Sequence, residues 1–229
     1  MEIAGGKILV KNYTDKEIKT CKTIAGLASI KKPATELVIW QRSLPSHFQD
    51  WIEEVDIANL PNIRILVTPK ELRPALAPLL DRCGLAAGDM REILVTDIID
   101  LVTSFANITL SKDVDVRLER VSGDACWKFH RDTVETRLVT TYRGPTTEWV
   151  RPAFSKQAIH EQKVFNGPLE HIEDGGVAIF KGSCSGPNSG IVHRSPPIAG
   201  TGLTRLLLCL NQRTNASPDS WAKSYSQNI

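Results

Sequence analysis

Two histidines, an aspartate and an arginine are the residues of this chain whose types and spacing could do chemistry. His130 and Asp132 stand two apart in CWKFHRDTVETRLVTTYRG, residues 126–144; His193 follows in GIVHRSPPI, and Arg205 opens the apolar run RLLLCL. Extended chain alternates its side chains between faces, so residues two apart point the same way. That puts His130 and Asp132 on one face, with Lys128 and Cys126 beside them. An imidazole and a carboxylate so placed can bite one divalent ion, and a histidine from a distant strand makes a set of two histidines and one carboxylate. Such a set leaves positions open on non-haem Fe(II), where oxygen and a chelating cosubstrate bind. An arginine at the head of an apolar strand is costly to bury without an anion, which makes Arg205 the candidate partner of a carboxylate. The plainer alternatives are a hydrogen-bonded His-Asp pair at a strand end and a salt bridge at a sheet edge.

Thr140 and Tyr142 share one face of the strand after the HxD and are candidates to hydrogen-bond a cosubstrate, with packing as the other reading. Cys126 and Cys184 are read as small buried hydrophobes. Their alternative role is to join His193 in a zinc site.

The elements that must position these residues change character along the chain. SLPSHFQDWIEEV, residues 43–55, reads as an amphipathic helix capped by Ser43, with Leu44, Phe48, Trp51, Ile52 and Val55 at near-helical spacing. TPKELRPALAPLLDRCG, residues 68–84, reads as a helix kinked or broken by Pro74 and Pro78, and residues 91–108 as a core helix. ELVIW, residues 36–40, and NIRILVT, residues 62–68, fit either strands or buried helix. After about residue 112, short runs (VDVRLERV, WKFHRD, RLVTTY, TEWV, VAIF, GIVH, TRLLLCL) are separated by Gly, Pro, Asn and Ser with no intervening helix. This predicts a mostly antiparallel sandwich, barrel or jelly roll. The division is a mainly helical region at 1–111 packing on the core, a sheet core at 112–212, and a polar, frayed tail at 213–229.

Composition excludes more than it names. Lys+Arg 28 against Asp+Glu 26 gives a net +2 with mixed signs, which argues against a nucleic-acid or anionic-membrane partner. Five cysteines, an odd number with no CxxC pair, argue for reduced thiols and a cytoplasmic location. The amino terminus carries no secretion signal, and no apolar run is long enough to span a bilayer. The oligomeric state is not legible.

The order HRD, then His193, then Arg205 after SPPIAGTGLT resembles the signature of Fe(II)/2-oxoglutarate-dependent oxygenases. The surroundings RLVTTYRGPTTEW and EDGGVAIFKG resemble theirs too, over about residues 112–212. The resemblance implies an α+β protein with a double-stranded β-helix, a cupin-like jelly roll, in the C-terminal half and helices packed against it. It also implies Fe(II) held by His130, Asp132 and His193, with 2-oxoglutarate bound by Arg205 and an unknown substrate, small molecule or protein. More closely, KFHRDTVETRLVTTYRGPTTEWV with GGVAIFKG and VHRSPPI resembles an uncharacterised bacterial domain-of-unknown-function family met beside zinc-related GTPase metallochaperones, over about residues 35–212. That likeness implies, as an alternative, a non-enzymatic zinc- or iron-binding protein of metal homeostasis.

Overall fold

A computed structural model describes residues 17–222. Residues 1–16, with most of the amino terminus read as unexported, and residues 223–229 of the polar tail lie outside the described part. Among the described residues, no helix is long and apolar enough to cross a membrane.

The architecture is mixed α+β, dominated by a large and mostly antiparallel sheet. Its strands are β1 (Glu17–Cys21), β2 (Thr35–Trp40), β3 (Ile63–Val67), β4 (Val114–Val121), β5 (Thr136–Arg143), β8 (Val177–Lys181) and β10 (Arg205–Gln212), in the order β1-β2-β8-β5-β10-β4-β3. Only the β1–β2 pair is parallel. A small sheet of β6 (Glu148–Val150), β7 (Glu170–His171) and β9 (Val192–Arg194) has the order β7-β6-β9. It is extended on the β9 side by a single bridge from His130 to His193. From β4 onward the chain therefore alternates between sheets: β4 large, the His130 segment small, β5 large, β6 and β7 small, β8 large, β9 small, β10 large.

Side-chain parity explains why the sheets stack. Leu138 of β5, Ile179 of β8, Leu206, Leu208 and Leu210 of β10 and Val116 of β4 face the helices, in one core with residues such as Phe48, Leu76, Ile98 and Phe105. The alternate residues Val139, Ala178, Phe180 and Cys209 face the small sheet and pack with Trp149, Ile172 and Ile191. A third cluster, Phe129, Val150, Ala158 and Val192, covers the far face of the small sheet. Each fully buried Leu, Ile or Phe contributes about 1.5–3 kcal/mol, so a slip by one residue in β5 or β10 would invert both faces at prohibitive cost.

The helices are α1 (Ser46–Glu54), α2 (Leu72–Arg82), α3 (Asp89–Thr109) and α4 (Ser155–Glu161). ELVIW and NIRILVT, open between strand and helix, are the strands β2 and β3, and with β1 they add to both edges of the large sheet. Three sequence expectations need correction. The first helix begins at Ser46 behind Pro45, beyond Ser43, because Pro45 fixes an extended backbone there. The second starts at Leu72, which places Pro74 in the first turn, where a missing N–H costs nothing, and leaves only Pro78 inside. A helix, α4, does interrupt the strand series, between β6 and β7.

Candidate metal centre

The centre begins with one backbone pairing. His130 N donates to His193 O at 3.0 Å, and His193 N donates to His130 O at 3.1 Å. Residues directly opposite in an antiparallel pair project to the same face. The two imidazoles accordingly lie side by side, with ring centroids 4.6 Å apart, and Phe180 of β8 packs 4.7 Å from the His193 ring.

Asp132 arrives from an irregular segment rather than a strand. Its carbonyl accepts from Ser183 N at 2.8 Å and Ser183 Oγ at 3.1 Å. Gly182 makes this approach possible: a Cβ there would lie 2.7 Å from Asp132 O and 2.2 Å from Val134 O. On the other side, the Gln162 amide acts as a surrogate strand for Phe129, accepting from Phe129 N at 2.8 Å and donating to Phe129 O at 3.1 Å. The HxD segment is thus clamped from both flanks.

His130, Asp132 and His193 each offer a ligand atom, and these atoms lie within 4.8 Å of one another. His130 Nδ1 sits 2.7 Å from Lys128 O and His193 Nδ1 sits 3.1 Å from Ile191 O. A carbonyl only accepts, so both Nδ1 atoms carry the proton and both neutral Nε2 atoms present lone pairs. Those lone pairs face the carboxylate, each Nε2 lying 3.3 Å from an Asp132 oxygen. Asp132 Oδ2 is buried without a hydrogen-bond partner. Three acceptors converging on one point suit a cation, and imidazoles oriented by backbone carbonyls are the usual support of metal ligands. The donor set fits a divalent metal. Without one, burial pushes the Asp132 carboxyl up, but His130, His193 and Arg137 outweigh it and hold the group well below the usual carboxylate range. The Asp132 contact, against the opposing effect of burial, pushes His130 up.

The centre opens on a cavity of about 90 Å³, lined in part by His130, His193, Arg117, Arg137, Thr147 and Ser195. That is room for about three waters. A larger cavity of about 440 Å³ between α1 and the end of β5 contains no member of the triad.

Arg205 is 0 % exposed and lies directly behind the cavity wall. Its guanidinium donates to Pro145 O at 2.6 Å, Ser195 Oγ at 2.6 Å and Thr147 Oγ1 at 3.4 Å. All three are neutral, and among the described residues no carboxylate lies within ion-pair distance of it. Burial lowers its pKa to about 10.

The structure does not bring the other expected residues to the site. Thr140 and Tyr142 sit on the helix-facing side of β5, opposite in parity to Arg137 and Val139. Thr140 Oγ1 donates to Gly176 O at 2.8 Å, and the Tyr142 hydroxyl donates to Asp97 Oδ2 at 2.7 Å beside Arg42. Cys126 and Cys184, expected to be buried, are exposed; Cys126 lines the cavity and Cys184 does not. Residues that the sequence reading missed are Arg137, which reaches Asp132 at 2.7 Å, and the framing residues Gly182, Gln162, Ser195 and Thr147. Only Gly182, in FKGSCSG, carried a local signal.

Fold and site together define a mixed α+β protein with a two-histidine, one-carboxylate cluster on its small sheet. The chain belongs to DUF1826, a family of proteins of unknown function, whose family model fits residues 21–211. No curated protein matches it. Among solved structures it is similar to a Pseudomonas putida prolyl-4-hydroxylase, at 14% identity and a TM-score of 0.43, over 86% of this chain and 95% of that one. It is also similar to a rice dioxygenase for auxin oxidation, at 11% identity and a TM-score of 0.45, over 84% and 78%. A third is the Kdo hydroxylase KdoO, a non-heme Fe(II) alphaketoglutarate dependent dioxygenase in complex with cobalt(II), at 10% identity and a TM-score of 0.44, over 92% and 96%. Likenesses this distant carry no weight for the activity of this chain.

Proposed function

We propose that this protein is a non-haem Fe(II)/2-oxoglutarate-dependent oxygenase, acting on an undetermined small-molecule or protein substrate, with a double-stranded β-helix as its scaffold. The alternation of strands between two sheets supports the scaffold. The observation that carries the activity is the pairing of two features across one cavity wall: a cluster of three acceptors with a partnerless carboxylate oxygen, and a buried guanidinium with no carboxylate.

His130, Asp132 and His193 would hold Fe(II), which when bound supplies the redox chemistry that couples oxygen and a 2-oxo acid to substrate oxidation. Lys128 O and Ile191 O fix the imidazole tautomers so that both Nε2 atoms face inward. Ser195 and Thr147 form the wall between cavity and guanidinium, and by exchanging its bonds to them Arg205 would present a two-pronged donor to a carboxylate of the cosubstrate. Thr140 and Tyr142 take no part in cosubstrate binding in this reading. The test is calorimetric and spectroscopic titration of anaerobic Fe(II)-loaded protein with 2-oxoglutarate. Saturable binding that requires the metal is expected; no binding sinks the proposal.

One observation favours a second reading. Cys126 is exposed on the same cavity as His130 and His193; its thiol lies outside the cluster of ligand atoms within 4.8 Å of one another and would have to move in to close a four-ligand zinc site. Such a site would serve metal homeostasis. Elemental analysis separates the two: stoichiometric zinc that 2-oxoglutarate does not perturb supports the second.

A further inference from the structure

A carboxylate ligand has two oxygens, and the number that reach the ion decides how many positions remain for other ligands. The two oxygens of Asp132 are not equivalent. Oδ1 is ion-paired with Arg137 Nη1 at 2.7 Å and lies 3.3 Å from His130 Nε2, whereas Oδ2 has no cation beside it, is buried without a hydrogen-bond partner and lies 3.3 Å from His193 Nε2. Arg137 is itself fixed. It is the second residue of β5, paired in register with Phe180 on one side and Asn211 on the other, on the inward face it shares with Val139. Its Nε donates to Asn211 Oδ1 at 2.8 Å, so one guanidinium bridges a buried amide and the ligand carboxylate.

We propose that Arg137 is a positioning residue that reserves Oδ1 of Asp132 and makes the carboxylate a one-oxygen ligand through Oδ2. The inference rests on the triad being a metal centre and does not require the oxygenase reading. Its physical basis is competition for lone pairs. An ion pair whose guanidinium is anchored at its far end by Asn211 must be broken before Oδ1 can turn to the ion. Two neutral imidazoles and one carboxylate oxygen leave three positions of an octahedron open; a carboxylate biting through both oxygens would leave two. Arg137 also withdraws electron density from the carboxylate, which leaves the ion a stronger Lewis acid. A chelating ligand and a third molecule need three positions, so Arg137 determines whether the centre can hold both.

The probe is Mn(II), read by water-proton relaxation and by binding titration of the full chain. In wild type, three exchangeable waters are expected. In Arg137→Gln, the relaxivity of the bound ion should fall by about one third as Oδ1 turns inward, and affinity should fall about tenfold as the ligand loses its support. Asn211→Leu keeps the guanidinium and removes its anchor, so it should move both readouts the same way by a smaller amount and serves if Arg137→Gln does not fold. Unchanged relaxivity in either folded variant overturns the inference. So does a rise in affinity on losing Arg137, which would mark the guanidinium as a competitor for the ion. Wild-type protein that binds no divalent ion overturns the metal-centre reading together with this inference. Mn(II) binding with the predicted shifts but no 2-oxoglutarate binding upholds this inference and removes the oxygenase.

Discussion

Replacing Arg205 with methionine separates a guanidinium that waits for an anion from one that holds the sheet together. The side chain is 0 % exposed, and its partners are Pro145 O, Ser195 Oγ and Thr147 Oγ1. Burial takes its pKa from 12.5 to about 10. At 1.36 kcal/mol per unit, carrying the charge in the folded metal-free protein costs on the order of 3 kcal/mol. Methionine fills a similar volume and removes that cost, but it strands three acceptors, at about 1 kcal/mol each. The two contributions nearly cancel, so the metal-free variant should unfold within about 1 kcal/mol of wild type. An arginine torn from a buried ion pair would instead cost about 3–5 kcal/mol. The pH dependence has a defined sign. Above about pH 10 the folded chain gives up the proton before the unfolded one does, so stability attributable to Arg205 rises with pH from there and the variant lacks the rise. In the metal-loaded protein, the charge-assisted pair with a 2-oxoglutarate carboxylate is worth about 1.5–3 kcal/mol, so Arg205→Met should weaken that ligand roughly ten- to a hundredfold while metal content stays the same. Denaturant melts and calorimetry measure both. Destabilisation above about 3 kcal/mol together with unchanged 2-oxoglutarate affinity would refute the reasoning, because the guanidinium would then be a structural strut.

Asp132→Ala should empty the site in elemental analysis. In the metal-free protein it should also remove stability that is present above the ordinary carboxylate pKa of about 4 and lost as pH falls through the lowered folded value. Thr140→Val removes a buried donor to Gly176 O on the helix-facing side, so it should cost about 1–2 kcal/mol in denaturant melts and leave metal and 2-oxoglutarate binding untouched; lost 2-oxoglutarate binding would return Thr140 to the site. Cys126 and Cys184, both exposed, should react with a thiol reagent at pH 8, whereas Cys209, buried and pushed up to about 11, should react only on unfolding. Fast modification of Cys209 in folded protein would mean that the inner face of β10 opens.

Much of the sheet was legible because its strands obey a period that burial enforces. Val114, Val116 and Leu118 alternate with charged residues, and β4 spans the same residues as the run VDVRLERV. ELVIW gave no such sign, since β2 is buried on both faces, between the helices and the small sheet, and a continuous apolar run carries no period. The interruption by α4 was missed for a different reason: seven residues with two buried positions are too few for a helical pattern to emerge.

The site divides along similar lines. His130 and His193 were legible as a pair because their chemistry is rare and their order suits two neighbouring strands, and the structure pairs them by reciprocal backbone hydrogen bonds. Parity placed Asp132 beside His130 by a route the structure does not take, because Asp132 lies in an irregular segment packed on Gly182 and not on a strand face. Parity also decides against Thr140 and Tyr142. Counting along β5 shows that they share a face, but which face meets the His-Asp-His cluster depends on where the helices pack, and that is fixed by residues such as Phe48 and Ile98, far off in the chain. Arg137 was invisible for the complementary reason. Nothing near it in sequence distinguishes it from Arg143 on the same strand, whose guanidinium is held by the carbonyls of Ile52 and Val55. What separates the two is the neighbouring strand, which sets Asn211 opposite Arg137 and turns an ordinary strand-end cation towards the carboxylate of the candidate metal ligand.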